Sequence, residues 1–400
     1  MNREVRSVLF VTTSFPRFKG DFAGSFVFRF AKYLVRDGIK VTVLAPGAHG
    51  YPSSDEIDDI QIYRFPYFFP IRYQRLAYDG GGIMANIRNS WLARIQIPIL
   101  FFSAVRSIIR HQIRCQLIHC HWTPMSFAAL LARSFSRVKL PIILTNWGSD
   151  TRLLPAYLTR WIVSRVDGCI STATETDEHL LSAGYTKFRR IMAPIDEERF
   201  SRINVKPDLL NELNIRNDIP ILAFIGRLTD FKDPITLIRA CALLRQQRVP
   251  FISLIMGDGD LMSACRREIE YGKLQKQVFL LGTRSDPERL LRIANVLVHV
   301  SPIENTWANV IAEAMFMEVP VIMSDAGYTR RLFSHKRDCL IIPASNPEAL
   351  AKAFHSLISD VDLSLKLTNG AKMLLRQRKK DSKSIVADTK TYYKEIINAR

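Results

Sequence analysis

Short apolar runs exchange with segments of helical spacing along the whole chain, a rhythm that predicts parallel sheets covered on both faces by helices. In the first half the strands are expected near 5–13, 39–45, 60–65, 116–120, 140–145, 167–172 and 188–193. A helix at about 25–36 stops at Asp37-Gly38. Pro194 to Pro207 breaks the rhythm and marks a domain boundary. Beyond it, strands are expected near 220–226, 251–256, 277–282, 295–301, 319–324 and 338–342. The reading is therefore α/β, with domains 1–193 and 194–380 and a last helix within 381–400 that no strand follows. Residues 67–82, aromatic and glycine-rich, fit no regular element, and a loop of that length points to function, such as contact with an acceptor.

Bulk properties narrow the class. Four hundred residues with 48% apolar content suit two domains with a core each. The six cysteines form no CxxC pair, as expected of reduced thiols in a cytosolic protein. Cys115, His119, Cys120 and His121 cluster, which makes a zinc site conceivable, although an ordinary strand end is the simpler reading. Asp258 and Asp260 sit in a glycine turn before a helix and read as caps rather than metal ligands. No metal is expected.

Charge is distributed unevenly. The net value is +18, from 56 basic against 38 acidic residues, yet Gly80 to Ser149 holds no Asp or Glu at all. In that run Arg88, Arg94, Arg106, Arg110, Arg114, Arg133, Arg137 and Lys139 are interleaved with Trp91, Leu92, Ile95, Ile97, Ile99, Leu100, Phe101 and Phe102. The pattern reads first as an interfacial element lying on anionic lipid. The alternatives are a core helix whose arginines snorkel to solvent, or, least favoured, a nucleic-acid face. The apolar stretch Ile95–Val105, interrupted by Pro98, falls short of the roughly twenty residues a bilayer span requires. The run Val8–Val11 is too short for a signal peptide.

Two segments carry chemistry. In GRLTDFKDP, Arg227 and Lys232 flank a glycine-marked turn after the apolar run Ile221–Gly226, and a guanidinium plus an ammonium suit a pyrophosphate. Asp233-Pro234 then opens a helix. In SPIENTWANVIAEAM, backbone N–H groups near Thr306 and Trp307 would face anionic oxygen at a helix start. Asn309 and Glu313 fall one turn apart on that helix, where a carboxylate can accept hydrogen bonds from two ribose hydroxyls.

At these residues the chain resembles the retaining glycosyltransferases of family 4, whose fold is GT-B: two Rossmann-like domains with parallel sheets facing across a cleft, and a last helix returning to the first domain. The resemblance assigns Arg227 and Lys232 to the donor diphosphate and Glu313, the second member of a Glu-x7-Glu motif, to the ribose. Glu304 or Asn305 fills the first position, with Glu304 preferred as the group positioning the sugar. Nearly the whole chain takes part. VLFVTTSFPRFKGDFAGSF is similar to the first strand and glycine loop, with Gly20 and Gly24 approaching the donor phosphate. IHCHWTP places His121 opposite the donor sugar, and MGDGD supplies a nucleotide-side turn at Gly257 and Gly259. Trp147 stands where many relatives have His, and Arg330 where many have Glu.

The resemblance implies transfer of a sugar from a nucleotide-diphosphate donor to a glycan or lipid-linked acceptor, with retention, without metal or other cofactor, and with the leaving phosphate oxygen taking the acceptor's proton. It places the protein in the cytoplasm or peripherally on the cytoplasmic membrane, with no nucleic-acid partner. Two rivals remain: a sugar-nucleotide epimerase or hydrolase of the same fold, and a basic non-enzymatic binder of nucleic acid or membrane.

Overall fold

The computed structural model describes residues 4–399 apart from 79–81, 148–153, 173, 183, 207, 217, 304–306 and 379–380, and without the side chains of 174–176 and 179. It divides into two compact units, Met1–Pro194 with Ser382–Arg400, and Ile195–Asp381.

The first unit is an eight-stranded sheet made of β1 (Ser7–Val11), β2 (Lys40–Pro46), β3 (Ser54–Ile57), β4 (Ile60–Phe65), β5 (Leu117–His121), β6 (Ile142–Asn146), β7 (Gly168–Ser171) and β8 (Phe188–Arg190). Its order is β3-β4-β2-β1-β5-β6-β7-β8. All pairings are parallel except β3 with β4, an antiparallel edge that the sequence pattern does not predict. The period of two along β1 sends Leu9 and Val11 to one core and Val8 and Phe10 to the other, so both faces are buried. On the Val8 face lies α1 (Ser25–Arg36). On the Leu9 face lie α3 (Trp91–His111), which follows the short α2 (Ile83–Asn89), and α4 (Thr123–Phe135).

The terminal helix Ser382–Asn398 belongs to this unit and is fixed by specific contacts. Tyr392 donates its hydroxyl to the Cys169 carbonyl at 3.2 Å and accepts from the Cys169 N–H at 2.8 Å. Fully buried Tyr393 meets His119 Nδ1 at 2.5 Å. Removing an aromatic ring buried to that degree costs about 3–5 kcal/mol, so the helix is part of the fold rather than an appendage.

The second unit is a six-stranded, wholly parallel sheet of β9 (Ile221–Ile225), β10 (Ile252–Met256), β11 (Val278–Gly282), β12 (Val296–His299), β13 (Val321–Asp325) and β14 (Leu340–Pro343), ordered β11-β10-β9-β12-β13-β14. Strand order reverses at β9, between β10 and β12. In open parallel sheets such a reversal leaves a crevice beyond the carboxyl ends of the two strands, where ligands bind.

Candidate functional site

Both chemistry-bearing segments leave the sheet of the second unit at that reversal. After β9 the chain turns through Gly226 to Lys232, closed by Lys232 N–H to the Thr229 carbonyl at 2.9 Å and Asp233 N–H to the same carbonyl at 3.0 Å. Asp233, in the left-handed region at φ 47°, caps the helix Pro234–Gln246: its carboxylate accepts from Thr236 N–H at 3.1 Å and from the Thr236 hydroxyl at 2.7 Å. Arg227 is exposed and Lys232 half-buried, with its ammonium 5.6 Å from the Phe231 ring centre.

After β12, buried Ser301 donates its hydroxyl to the Phe231 carbonyl at 2.5 Å, tying this segment to the Lys232 turn across seventy residues. Glu304, Asn305 and Thr306 lie outside the described residues. Trp307 is buried, its ring 4.6 Å from Phe333, so the indole is packed into the second unit. The helix Asn309–Phe316 begins slightly later than the sequence suggests, and Glu313 is 8% exposed on it, one turn after Asn309. Arg330 pairs with Asp325 at the end of β13 at 2.6 Å.

The glycines of MGDGD have a tighter duty than ligand approach alone. A Cβ on Gly257 would lie 1.9 Å from the Gly226 carbonyl oxygen, and one on Gly259 would lie 2.4 Å from that of Leu228. These two positions let the turn after β10 close on the turn that carries Arg227, which Leu228 N–H to the Asp258 carbonyl at 2.9 Å completes. In the first unit Gly24, at φ 63°, packs likewise against Ser14, where a Cβ would lie 2.2 Å from the carbonyl. Gly20, at φ 96°, borders open space.

His121 ends β5, next to the reversal of strand order in the first sheet, and is fully buried. Its ring stacks on His119 at 4.4 Å and lies 4.6 Å from Phe10. Trp147 Nε1–H donates to His121 Nδ1 at 3.2 Å, while the buried Nε2 has no partner among the described residues. Since indole only donates, the imidazole is protonated at Nε2. Burial, together with the neighbouring His119, holds its pKa well below 6.5, so the ring is neutral. His119 is pushed down to about 3 by burial and bonds Tyr393 and, at 2.6 Å, Thr145.

The zinc alternative fails on strand geometry. Cys120 points to the opposite sheet face from His119 and His121, into the Leu9 core, and burial pushes its thiol up to about 12. No group of three or more His, Cys, Asp or Glu side chains suited to a metal exists among the described residues.

The acid-free run forms α2, α3, β5, α4 and β6. One face of α3 (Ala93, Gln96, Leu100, Ala104, Ile108) is buried in the core of the first unit. The other presents Trp91, Arg94, Ile95, Ile99, Phe102, Arg106 and Arg110 to the outside, a single stripe at helical spacing. Trp91 is 72% and Phe102 71% exposed. The Ile95–Val105 estimate understates this segment: Trp91–Arg114, α3 with the turn that follows it, is long and apolar enough to cross a membrane by length and composition, and 28% of its most apolar window is buried. Arg94 is occupied locally, donating to the carbonyls of Ile87 at 2.7 Å and Arg88 at 3.0 Å.

Comparison with known proteins follows the same division. The family described as Glycosyltransferase Family 4 matches residues 23–199, and that described as Glycosyl transferases group 1 matches residues 205–373. The GDP-mannose-dependent alpha-mannosyltransferase of Mycobacterium tuberculosis is 28% identical over 204 residues, 47% of this chain and 48% of the relative. The GalNAc-alpha-(1->4)-GalNAc-alpha-(1->3)-diNAcBac-PP-undecaprenol alpha-1,4-N-acetyl-D-galactosaminyltransferase of Campylobacter jejuni is 32% identical over 167 residues, 40% of this chain and 44% of the relative. The chain thus aligns with about half or less of the length of these curated relatives. Sucrose-phosphate synthase from Thermosynechococcus elongatus superimposes with a TM-score of 0.77 at 17% identity, covering 99% of this chain and 100% of that one, which shows the shared fold.

Proposed function

The chain belongs to the group 1 glycosyltransferases of GT-B architecture, and on that premise we propose that it moves a sugar from a nucleoside-diphosphate donor to a lipid-linked acceptor, with retention and without a metal ion. The observation that carries this reading is the Ser301–Phe231 hydrogen bond, which joins the cationic turn after β9 to the segment leading into the Glu313 helix.

Each residue then has a task. As the glycosidic bond to phosphate lengthens, negative charge builds on the departing diphosphate, and Arg227 and Lys232 neutralise it where a metal would otherwise be needed. Glu313 accepts from the ribose hydroxyls and holds the nucleotide before and during transfer. The leaving phosphate oxygen takes the proton of the attacking hydroxyl, so no side chain has to act as base. His121, neutral and fully buried, has no partner for its Nε2–H among the described residues and is the residue that the family resemblance assigns to the donor sugar.

A lipid-linked acceptor is supported by the exposed stripe of α3 and by the undecaprenol-linked acceptor in the name of the Campylobacter relative. On this reading α3 lies on the surface of the cytoplasmic membrane, with its inner face retained in the protein core. The test is a thermal-shift panel of UDP, GDP and ADP sugars. One of the three should stabilise the protein, and Glu313→Gln should diminish the shift. No shift with any of them would overturn the reading, and turnover of the sugar nucleotide without acceptor would favour an epimerase or hydrolase.

A further inference from the structure

A cavity of about 530 Å³ opens wholly within the first unit, beyond the carboxyl ends of β1, β2 and β4. That volume falls in the range of small-molecule sites. Three arginines line it, Arg17, Arg72 and Arg75, together with His49, and no carboxylate is among the described lining residues. Arg17 also engages Asp21 at 2.8 Å and lies 5.3 Å from the ring centre of Tyr78, another lining residue. A further cation stands close to Tyr78: Arg64, 3% exposed, donates from Nη2 to the Pro16 carbonyl at 2.7 Å, while its Nε and Nη1 have no partner among the described residues.

The lining also offers an acceptor. Gln74 is 9% exposed and its Nε2 is spent on the Phe68 carbonyl at 3.2 Å, but its buried Oε1 has no partner among the described residues. A buried carbonyl oxygen left this way is costly unless a donor such as a sugar hydroxyl meets it. The loop bearing Arg72, Gln74 and Arg75 is braced from the helices of the acid-free run. Gln96 of α3 accepts from Arg75 N–H at 2.9 Å and donates to the Tyr73 carbonyl at 2.6 Å. Asn86 of α2 donates to the carbonyls of Leu76 at 3.2 Å and Tyr78 at 3.1 Å.

We propose that this cavity is the acceptor subsite and that the acceptor it takes is a phosphorylated sugar, its phosphoryl group held by Arg17, Arg72 and Arg75 and a hydroxyl donating to Gln74 Oε1. The proposal rests on the glycosyltransferase reading for the word acceptor, while its chemistry stands on the cavity alone. Guanidinium groups match phosphoryl oxygens two at a time, and the convergence of three of them, of which Arg17 is also paired with Asp21, favours that ligand over a neutral sugar. Loop 67–82 thereby acquires its function, and the stripe of α3 stands on the helix that braces it.

The experiment separates this from failure of the donor site. In full-length protein carrying Arg227→Ala and Lys232→Ala, inorganic phosphate is titrated and followed by phosphorus NMR line broadening. Saturable binding is expected, and adding Arg72→Glu and Arg75→Glu should weaken it at least about tenfold with an unchanged melting temperature. Both side chains are exposed, and the neutral pair Arg72→Gln and Arg75→Gln repeats the measurement without introducing repulsion. Equal binding with and without these changes, or no binding at all, overturns the proposal. A second arm offers neutral phosphatidylcholine vesicles carrying a few mole per cent of polyprenyl phosphate or of polyprenol. Retention that needs both the phosphate and the two arginines identifies a lipid-borne phosphoryl group. Phosphate binding without such retention identifies a soluble sugar phosphate.

Discussion

The indole N–H of Trp147 donates to His121 Nδ1 at 3.2 Å and thereby fixes which nitrogen of a fully buried imidazole carries the proton. Residue 147 ends no strand by itself: it follows β6, the neighbour of β5, and its ring stacks on His121 at 5.8 Å. Trp147→Phe keeps the ring and removes the donor. The imidazole then loses its tautomeric bias, and kcat should fall about fivefold to tenfold, the worth of one hydrogen bond of about 1 kcal/mol. Trp147→His restores an N–H donor and should recover most of that loss. Imidazole nitrogen shifts report the tautomer directly, and a Phe variant with parental shifts and parental kcat would mean that the indole only fills space.

Arg227 and Lys232 sit on a surface turn, so truncating them leaves the core intact. Arg227→Ala and Lys232→Ala should each lower kcat about a hundredfold, since one contact to developing leaving-group charge is worth about 3 kcal/mol in the barrier. Glu313→Gln should instead raise the nucleotide Kd, by about tenfold, because ribose hydroxyls are held equally in the ground and transition states. Steady-state kinetics beside calorimetric titration of the nucleoside diphosphate separates the two patterns. A Glu313→Gln variant with normal Kd and reduced kcat would take that carboxylate away from the ribose.

Chelation supplies an independent check on the same site. If the two cations neutralise the diphosphate, transfer should continue at the parental rate in excess EDTA. An enzyme silenced by EDTA and revived by magnesium or manganese would require the leaving group to be drawn differently.

The positions of the parallel strands along the chain were legible because each is an apolar run long enough to stand out, as Ile221–Ile225 does. The antiparallel edge β3 was not, because Ser54, Asp55 and Glu56 carry none of the apolar signal and owe their conformation to pairing with β4. Helix α3 was foreshortened in the sequence by Pro98, whose position on the exposed face lets the helix continue through it. The placement of Arg227 and Lys232 after β9, and of Glu313 on the helix after β12, was readable because both motifs follow strand ends. The cavity was not, since it is closed by side chains from Arg17 to Tyr78 that share no sequence spacing. The tautomer of His121 depended on a residue of the adjacent strand's loop, a relation only the fold creates.

Burial of two neutral histidines makes stability depend on pH. His119 has its pKa pushed down to about 3 and His121 well below 6.5, while both return to about 6.5 in the unfolded chain. Their depressed values mean that the unfolded state takes up protons the folded state refuses. Stability is therefore full above about pH 6.5 and falls as pH drops, for His119 down to about pH 3. For His119 this amounts to up to about 1.4 kcal/mol per pH unit, or about 2 kcal/mol at pH 5, and His121 acts in the same direction. His111, also lowered by burial, acts in the same direction. Urea unfolding at about pH 7.5 and about pH 5 should show a clear drop in midpoint at the lower pH, and equal midpoints would contradict the buried, neutral state of the pair.

Membrane attachment should follow the outer stripe of α3. Arg88, Arg106 and Arg110 are exposed and flank or interrupt Trp91, Ile95, Ile99 and Phe102, whereas Arg94 is excluded from the test because it caps α2 through the Ile87 and Arg88 carbonyls. Each basic residue near an anionic surface contributes about 1 kcal/mol. Reversing Arg88, Arg106 and Arg110 to Glu should thus weaken partitioning onto phosphatidylserine-containing vesicles by at least about a hundredfold at low salt. Trp91→Ser with Phe102→Ser removes apolar insertion instead, and should weaken whatever binding survives high salt, because burial of those rings is not screened. Neither set touches Arg227, Lys232 or Glu313, so the nucleotide Kd should stay at the parental value in both. Equal vesicle binding by the parent and both variants would mean that the arginines of this stripe only solvate a helix, and the acceptor would then be reached from solution.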